Sequence, residues 1–434
     1  MERVYQYIWK HGLAAPRGAV GLKTVDGRHV RVDYPGRYNT DAGPDFLGAR
    51  LKIAGEEWCG NVEIHVKASD WQRHRHSQDP AYSNVILHVV GVDDMRIPDG
   101  RGGYIPQTVL TFPEAFIRLY SRLSEKINAV ECEDRLGEMS ELAVLDWTES
   151  LAMERLQQKA KRVLDTLRLV EGDWERTCFI VLARALGFSL NAEPMEMLAR
   201  QLPLSVAAKH SDDAMQLAAL LFGQAGMLDP SVNIYDDYYQ RLCREYGFMA
   251  RKYGLRPIRR ELWKYARTRP QNFPTRRIAM LAAALKGGFR MMRSILDRAD
   301  NIDEVRALFD WQTDDYWKEH IDFGNVCLHS PQQLSHSARD LLLINVAAPL
   351  VYAYGAWTGD GEFGEKAMSL WEKTSAEDNM FIRQWRHAGL HCESAATSQA
   401  LLHLRKEYCE RNRCLDCRFG HALLRKEMNN EKRI

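Results

Sequence analysis

The 434-residue chain is 45% hydrophobic and 27% charged, with a formal net charge of +1, the proportions of an ordinary globular protein with two or three domains and real cores rather than of a disordered one. Its longest apolar runs, such as 341-LLLINVAAPLVYAYGAW-357, fall short of the roughly 20 residues a membrane span needs and contain Asn345. Met1 to Lys10 reads as an amphipathic helix and not as a secretion signal, so a cytoplasmic protein with no membrane contact is expected.

Up to residue 112 the chain is dense in Gly, Pro, Asp and Asn, with short β-like runs between them. After one helix (Glu2 to Lys10), the runs VRVDYPG, ARLKI, NVEIHV, NVILHVV and QTVLTF read as strands bounded by turns. Ala54-Gly55-Glu56-Glu57 marks a hairpin, and 78-QDPAYSNV-85 a short helix. From Pro113 the apolar period becomes helical and stays so, from EAFIRLYSRLSEKINAV through TRRIAMLAAALKGGFRMMRSIL to SAATSQALLHLRKEYC. No fixed repeat is present, which argues against a solenoid. The expected class is α+β: an α/β domain over residues 1–112 with a mixed sheet, then an all-α domain over 113–434.

Within the first domain, Asp45 opens one strand and Glu63 sits in the next, with seventeen residues between them across the hairpin. Glu63 interrupts the apolar run Val62-Glu63-Ile64-His65-Val66, where a carboxylate is costly unless it is paired or holds a metal. Two carboxylates at neighbouring strand ends repel each other, and a hard divalent cation, Mg²⁺ or Mn²⁺, resolves the repulsion. His65 follows Glu63 by two residues and shares its face, so it can orient or deprotonate an attacking water.

Pro44-Asp45, the hairpin and Glu63-Ile64-His65 resemble the PD-(D/E)XK phosphodiesterase superfamily, which includes restriction enzymes, resolvases and RecB-type nucleases. The resemblance covers about the first 112 residues and implies an αβββαβ core in which Asp45 and Glu63 bind Mg²⁺ or Mn²⁺. His65 stands where that family has lysine, and Lys67 is the next basic residue on the same face. The chain is also similar to an uncharacterised bacterial family marked by NTDAGPDF, GNVEIHVKASDW, HRHSQDPAY and YCERNRCLDCRFG.

In DWQRHRHSQDPAY, His74, His76 and Asp79 have metal-ligand chemistry, two imidazoles and a carboxylate. The alternatives are a phosphate contact in the same cleft, with Asp79 capping the helix at Pro80, or a solvated loop. Asp41 and His76 are further candidates for the cleft, and His88 reads as a hydrogen-bonded core histidine.

Residues 251–293 hold thirteen Lys/Arg against one acid, Glu261, interleaved with Tyr253, Trp263, Tyr265 and Phe273. Basic residues among aromatics suit phosphate contacts and base stacking. Arg259, Arg260, Lys264, Arg267, Arg269, Arg276 and Arg277 are therefore expected to bind nucleic acid, DNA first. The same run is also compatible with a solvated face. Gly287-Gly288 is a helix break, and no phosphate-binding glycine loop occurs.

Five of the nine cysteines, Cys132 among them, are scattered singly. Cys409, Cys414 and Cys417 have metal-site spacing, and His421 completes C-x4-C-x2-C-x3-H. Cys392 lies a helix away, roughly 25 Å if that helix is continuous. A structural Zn²⁺ is expected here, with an Fe–S cluster as the rival that the RecB-type resemblance implies. The sequence thus points to a metal-dependent nuclease using Asp45, Glu63 and His65. The alternatives are a non-catalytic nucleic-acid-binding scaffold, or a metal hydrolase built on His65, His74, His76 and Asp79.

Overall fold

The computed structural model describes residues 1–14, 20–124, 132–231, 234 and 236–430. The chain forms two units, Met1–Ser140 with Arg405–Ile434, and Glu141–Leu404.

In the first unit, helix α1 (Glu2–Lys10) precedes a seven-stranded sheet: β1 (Val20–Lys23), β2 (His29–Tyr34), β3 (Arg37–Tyr38), β4 (Phe46–Ile53), β5 (Glu56–Lys67), β6 (Val85–Val92) and β7 (Gln107–Val109). The order is β1-β2-β4-β5-β6-β7, with β3 against β4. The pairs from β1 to β5 are antiparallel, while β5–β6 and β6–β7 are parallel. The mixed sheet of the expected α+β class is therefore present, with β1 as a strand the sequence reading did not include.

The β4–β5 hairpin turns on Ala54 (φ 52°) and Gly55 (φ 91°), both left-handed, as a tight two-residue turn requires. Eight residues of β4 then face seven of β5 before Asp45 and Glu63 are reached. A bulge takes up the extra residue: the register is Ala49↔Gly60 on the turn side and Phe46↔Val62 beyond it. Gly48, at φ 68°, occupies the bulge, and its N–H donates to Asn61 Oδ1 at 3.2 Å. A one-residue shift exchanges the faces of a strand, so this bulge is what brings Asp45 level with Glu63.

Parallel β5 and β6 need a crossover, and residues 68–84 supply it: helix α2 (Asp70–Arg73), then 3-10 turns His76–Gln78 and Pro80–Tyr82. The short helix expected over 78–85 is this second turn. Helix α1 packs against β5. Gly91 in β6 leaves room for Tyr5, whose hydroxyl would lie 2.0 Å from a Cβ at that position.

The boundary of this unit is Ser140, not residue 112, and its last part is the chain's C-terminal segment. Helix α3 (Glu114–Ser124) packs on the C-terminal helix Arg418–Asn430. Arg135 pairs with Glu427 and Glu138 with Lys426, each at 2.9 Å. Residues 125–130 of the helix expected over 114–130 lie outside the described residues.

The second unit is helical, led by the 29-residue helix Glu141–Leu169. Helices Trp174–Leu186 and Ala214–Gln224 start on Asp173 and Asp213, whose carboxylates accept first-turn N–H bonds. Positive φ at Gly287 and Gly288 separates Pro274–Leu285 from Met291–Asp297. His336–Thr358 forms a continuous helix with a π turn at Leu343–Ala347, and by length and composition it could cross a membrane. Its residues Leu343, Val346, Leu350 and Val351 are buried in one core with Phe179, Phe222 and Trp371.

Candidate metal centre

Three strands carry a line of polar side chains through the sheet. Glu63 of β5 pairs with His88 of β6, and His88 with Gln107 of β7. All three are almost fully buried, as is His65 one step along β5. Trp71 and Tyr82 of the crossover lie against the imidazoles of this face.

The hydrogen-bond chain sets the proton on each ring. Gln107 Nε2 donates to Asp93 Oδ1 and to the Met95 carbonyl, so its amide oxygen must point at His88. That oxygen accepts from His88 Nδ1 at 3.0 Å. His88 is then protonated on Nδ1 and, because burial lowers its pKa to about 4, its Nε2 keeps a lone pair. His65 Nδ1, 2.9 Å away, donates to it. His65 Nε2 is thereby left with a lone pair facing the centre. Burial, followed by the neighbouring His88, His76 and His74, holds the His65 pKa far below its ordinary value.

His74 and His76 meet this nitrogen through the backbone between them. Arg75 is left-handed (φ 59°), a conformation uncommon for a side-chain-bearing residue and frequent at functional sites. It turns an i,i+2 pair at the end of α2 into two rings converging on His65. The three histidines bring ligand nitrogens within 4.8 Å of one another. His74 Nδ1 is 3.2 Å from His65 Nε2, and Glu63 Oε1 is 3.5 Å from His65 Nε2 and 3.4 Å from His76 Nε2. A cation bound at about 2.0–2.1 Å to each donor sets neighbouring donors roughly 2.9–3.4 Å apart. His76 Nε2 is also buried without a hydrogen-bond partner, a cost that a bound cation would remove. Glu63, His65, His74 and His76 thus fit one metal ion with a nitrogen-rich donor set.

Asp45 adjoins this set differently from the expected carboxylate pair. Its N–H donates to Glu63 Oε2 at 3.0 Å, while its own oxygens accept from Gln6 Nε2 at 2.8 Å and Ile64 N at 3.0 Å. Asp45 therefore positions Glu63, with both of its oxygens already engaged. Burial first raises both carboxyl pKa values well above the usual range; the charge of Asp45 adds to the shift of Glu63, and that of Glu2 to both. Glu2 and Gln6 of α1 were not legible as neighbours of the site, because nothing in the spacing of α1 indicates where it docks. Asp41 is exposed, with its N–H bonded to Asn39 Oδ1, and Lys67 is exposed. Asp79 stands outside the cluster and caps the Pro80–Tyr82 turn through a bond from Ala81 N at 2.9 Å.

The basic segment divides by burial. Arg259, Arg260, Lys264, Arg267 and Arg269 are exposed. Arg276 and Arg277 are buried, with relative exposures of 3% and 6%. Arg276 donates to the carbonyls of Trp317, His320 and Pro331, and Arg277 lies over the Phe188 ring at 4.5 Å. Trp263 is also buried, donating to the Ala225 carbonyl at 2.8 Å, and Tyr265 packs on Phe273. The segment leaves the helical register after Tyr253, so the charged positions face water and the aromatics anchor the loop. Arg276→Ala is expected to cost about 1–3 kcal/mol in a urea titration through the carbonyls it strands, and Arg269→Ala less than about 0.5 kcal/mol.

At the C-terminus, Cys409, Cys414 and Cys417 belong to the first unit, and His421 turns to α1, with Nδ1 3.0 Å from the Tyr7 hydroxyl. Cys392 belongs to the second unit, where its carbonyl accepts from Arg386 at 2.7 Å.

Residues 2–380 match the model of the family described as protein of unknown function (DUF2851). The chain belongs to that family. No curated protein and no solved structure matches it. The matched span includes every residue of the Glu63–His65–His74–His76 centre and of the relay behind it.

Proposed function

We propose that this DUF2851 protein is a metal-dependent phosphodiester hydrolase acting on nucleic acid, with its cation held by Glu63, His65, His74 and His76. The observation that carries the reading is the spacing of these four donors, 3.2 to 3.5 Å between measured neighbours. Three imidazoles and one carboxylate favour Zn²⁺ or Mn²⁺ over Mg²⁺, which prefers oxygen.

When bound, such a cation polarises a phosphoryl oxygen and lowers the pKa of a bound water to about 7. The residues of the chain supply the remainder. His65 is a ligand and not a proton acceptor, because the relay through His88 and Gln107 fixes its lone pair inward and burial keeps the ring neutral. Asp45 holds Glu63 in place from behind. Exposed Arg73 and Arg75 flank His74 and give a phosphate its counter-charge, Arg73 Nη2 lying 3.4 Å from His74 Nε2.

The test is hydrolysis of bis(p-nitrophenyl) phosphate and of single- and double-stranded DNA and RNA, by metal-stripped protein and by protein reloaded with Zn²⁺ or Mn²⁺. Reloading is expected to restore a rate at least about a hundredfold above the stripped protein, with DNA as the preferred polymer. Full metal occupancy with no hydrolysis of any of these would overturn the reading in favour of a metal-stabilised binding module.

A further inference from the structure

The metal centre uses nothing of the helical unit Glu141–Leu404, which holds two adjoining cavities of about 720 and 810 Å³. Phe188, Arg277, Leu334, Ala338, Leu341 and Glu377 wall both of them, so they are two halves of one cleft. Each half has the size of a small-molecule site.

Two departures from regular backbone shape its walls. Helix Trp174–Leu186 ends at Gly187, where a Cβ would fall 2.3 Å from the Asn191 carbonyl oxygen, and Phe188 follows with φ 51°. A left-handed aromatic residue is a backbone outlier, and such strain concentrates at ligand clamps and active sites. Opposite, the π turn Leu343–Ala347 carries Asn345, whose side-chain oxygen accepts from Lys159 Nζ while its amide donates to the Leu341 carbonyl at 2.8 Å. Single π turns within α-helices are frequent at functional sites.

The charges of the cleft do not balance. Glu196 bridges Arg184 and Arg200 at 2.5 and 2.6 Å, and Asp165 pairs with Arg168 at 3.0 Å. In the second half, Asp340 pairs with Arg306 at 2.9 Å and Asp378 with Arg383 at 2.8 Å. Among the described residues Lys159, Arg162 and Arg277 have no ion-paired carboxylate, and Glu377 accepts from the Gln399 amide. Arg277 is the most demanding of the three. It is 6% exposed, its Nη2 donates to Asn272 Oδ1 at 2.5 Å, and its Nε is buried without a hydrogen-bond partner. Burial, then the neighbouring Arg276, lowers its pKa to about 10, and burial, then Arg155, lowers that of Lys159. A buried cation without a counter-charge is costly, and an anion in the cleft removes that cost.

We propose that this cleft binds a small organic phosphate, its dianionic head held by Arg277, Arg162 and Lys159 and its apolar body lying against Val163, Leu341 and Pro349. Three such cations against Glu377 alone leave a surplus of two positive charges. A phosphate monoester, with about −1.5 to −2 charge at neutral pH and three acceptor oxygens, balances that surplus, whereas a carboxylate does not. Arginine is suited to this contact, since its planar fork matches phosphate oxygens.

A nucleotide and a lipid-like phosphate share this chemistry, and calorimetry on the full chain separates them. The probes are inorganic phosphate, adenosine 5′-monophosphate, n-octyl phosphate and octanoate, each titrated with and without EDTA. One of the two organic phosphates is expected to bind once per chain and at least about tenfold more tightly than inorganic phosphate, through its apolar body. The tighter of the two identifies that body. Arg277→Gln is expected to weaken this binding by about 10- to 100-fold, the worth of a hydrogen bond to a charged group. Should Arg277→Gln fail to fold, Arg162→Glu changes an exposed position and is expected to weaken binding by at least about tenfold. No binding of either organic phosphate, octanoate binding as tightly as the better of them, or undiminished affinity in a folded Arg277→Gln or in Arg162→Glu would each overturn the proposal. Binding that disappears in EDTA would assign the phosphate to the Glu63 centre and overturn it as well.

Discussion

His76→Ala is expected to abolish stoichiometric Zn²⁺ or Mn²⁺ binding at the sheet centre, measured by calorimetry. Glu63→Gln should do the same, because Glu63 Oε1 is the oxygen that faces both His65 and His76. His88→Ala touches no cation, yet it removes the acceptor that fixes the His65 tautomer. Loss of such an outer partner weakens a site by about 10- to 100-fold, so an affinity loss in that range is expected, with stoichiometry retained. Asp45→Asn preserves the backbone N–H that holds Glu63, and binding should survive it. The alternative arrangement, a cation shared by Asp45 and Glu63, requires the opposite ranking. If Asp45→Asn eliminates binding while His76→Ala leaves it intact, the nitrogen-rich site is the wrong assignment.

The second large effect is a pH dependence that the metal should reverse. Above about pH 7.5 the histidines of the unfolded chain are largely neutral, so the lowered pKa values of His65 and His88 no longer change stability. The carboxyls of Glu63 and Asp45 remain, both raised in the folded protein by burial. The metal-free fold then binds more protons than the unfolded chain, and its stability falls as pH rises through the raised folded values. Each such proton contributes a slope of at most about 1.4 kcal/mol per pH unit. Below about pH 6.5 the sign reverses for the histidines: the unfolded chain takes up protons that the buried rings refuse, and their contribution is lost as pH falls. Urea titrations in EDTA from pH 7.5 to 9 should show the decline, and saturating Mn²⁺ or Zn²⁺ should flatten it. Glu63→Gln should flatten it without metal, and an unchanged slope in that variant would place the titrating group elsewhere.

The hairpin, the polar face of β5 and the change from strand period to helix period after Pro113 were legible in the sequence, because each is a local pattern of turn residues and apolar spacing. Ala54-Gly55 admits a two-residue turn, and Glu63 and His65 alternate with Val62 and Ile64 on a single strand, whatever else the chain does. The break at Gly287-Gly288 is of the same kind.

What needed the tertiary structure is everything that depends on where separate segments meet. Alternation placed His65 beside Glu63, but only the crossover with a left-handed Arg75 brings His74 and His76 to the same point. Register across three strands put His88 and Gln107 in line behind His65. A charge run does not show which arginines point inward, so Arg276 and Arg277 read like Arg267 and Arg269 until packing separates them. Spacing finds candidate ligands that are neighbours in the chain, as in Cys409, Cys414 and Cys417. It cannot find that His76 faces Glu63, thirteen positions earlier, because the crossover and not the strand brings them together.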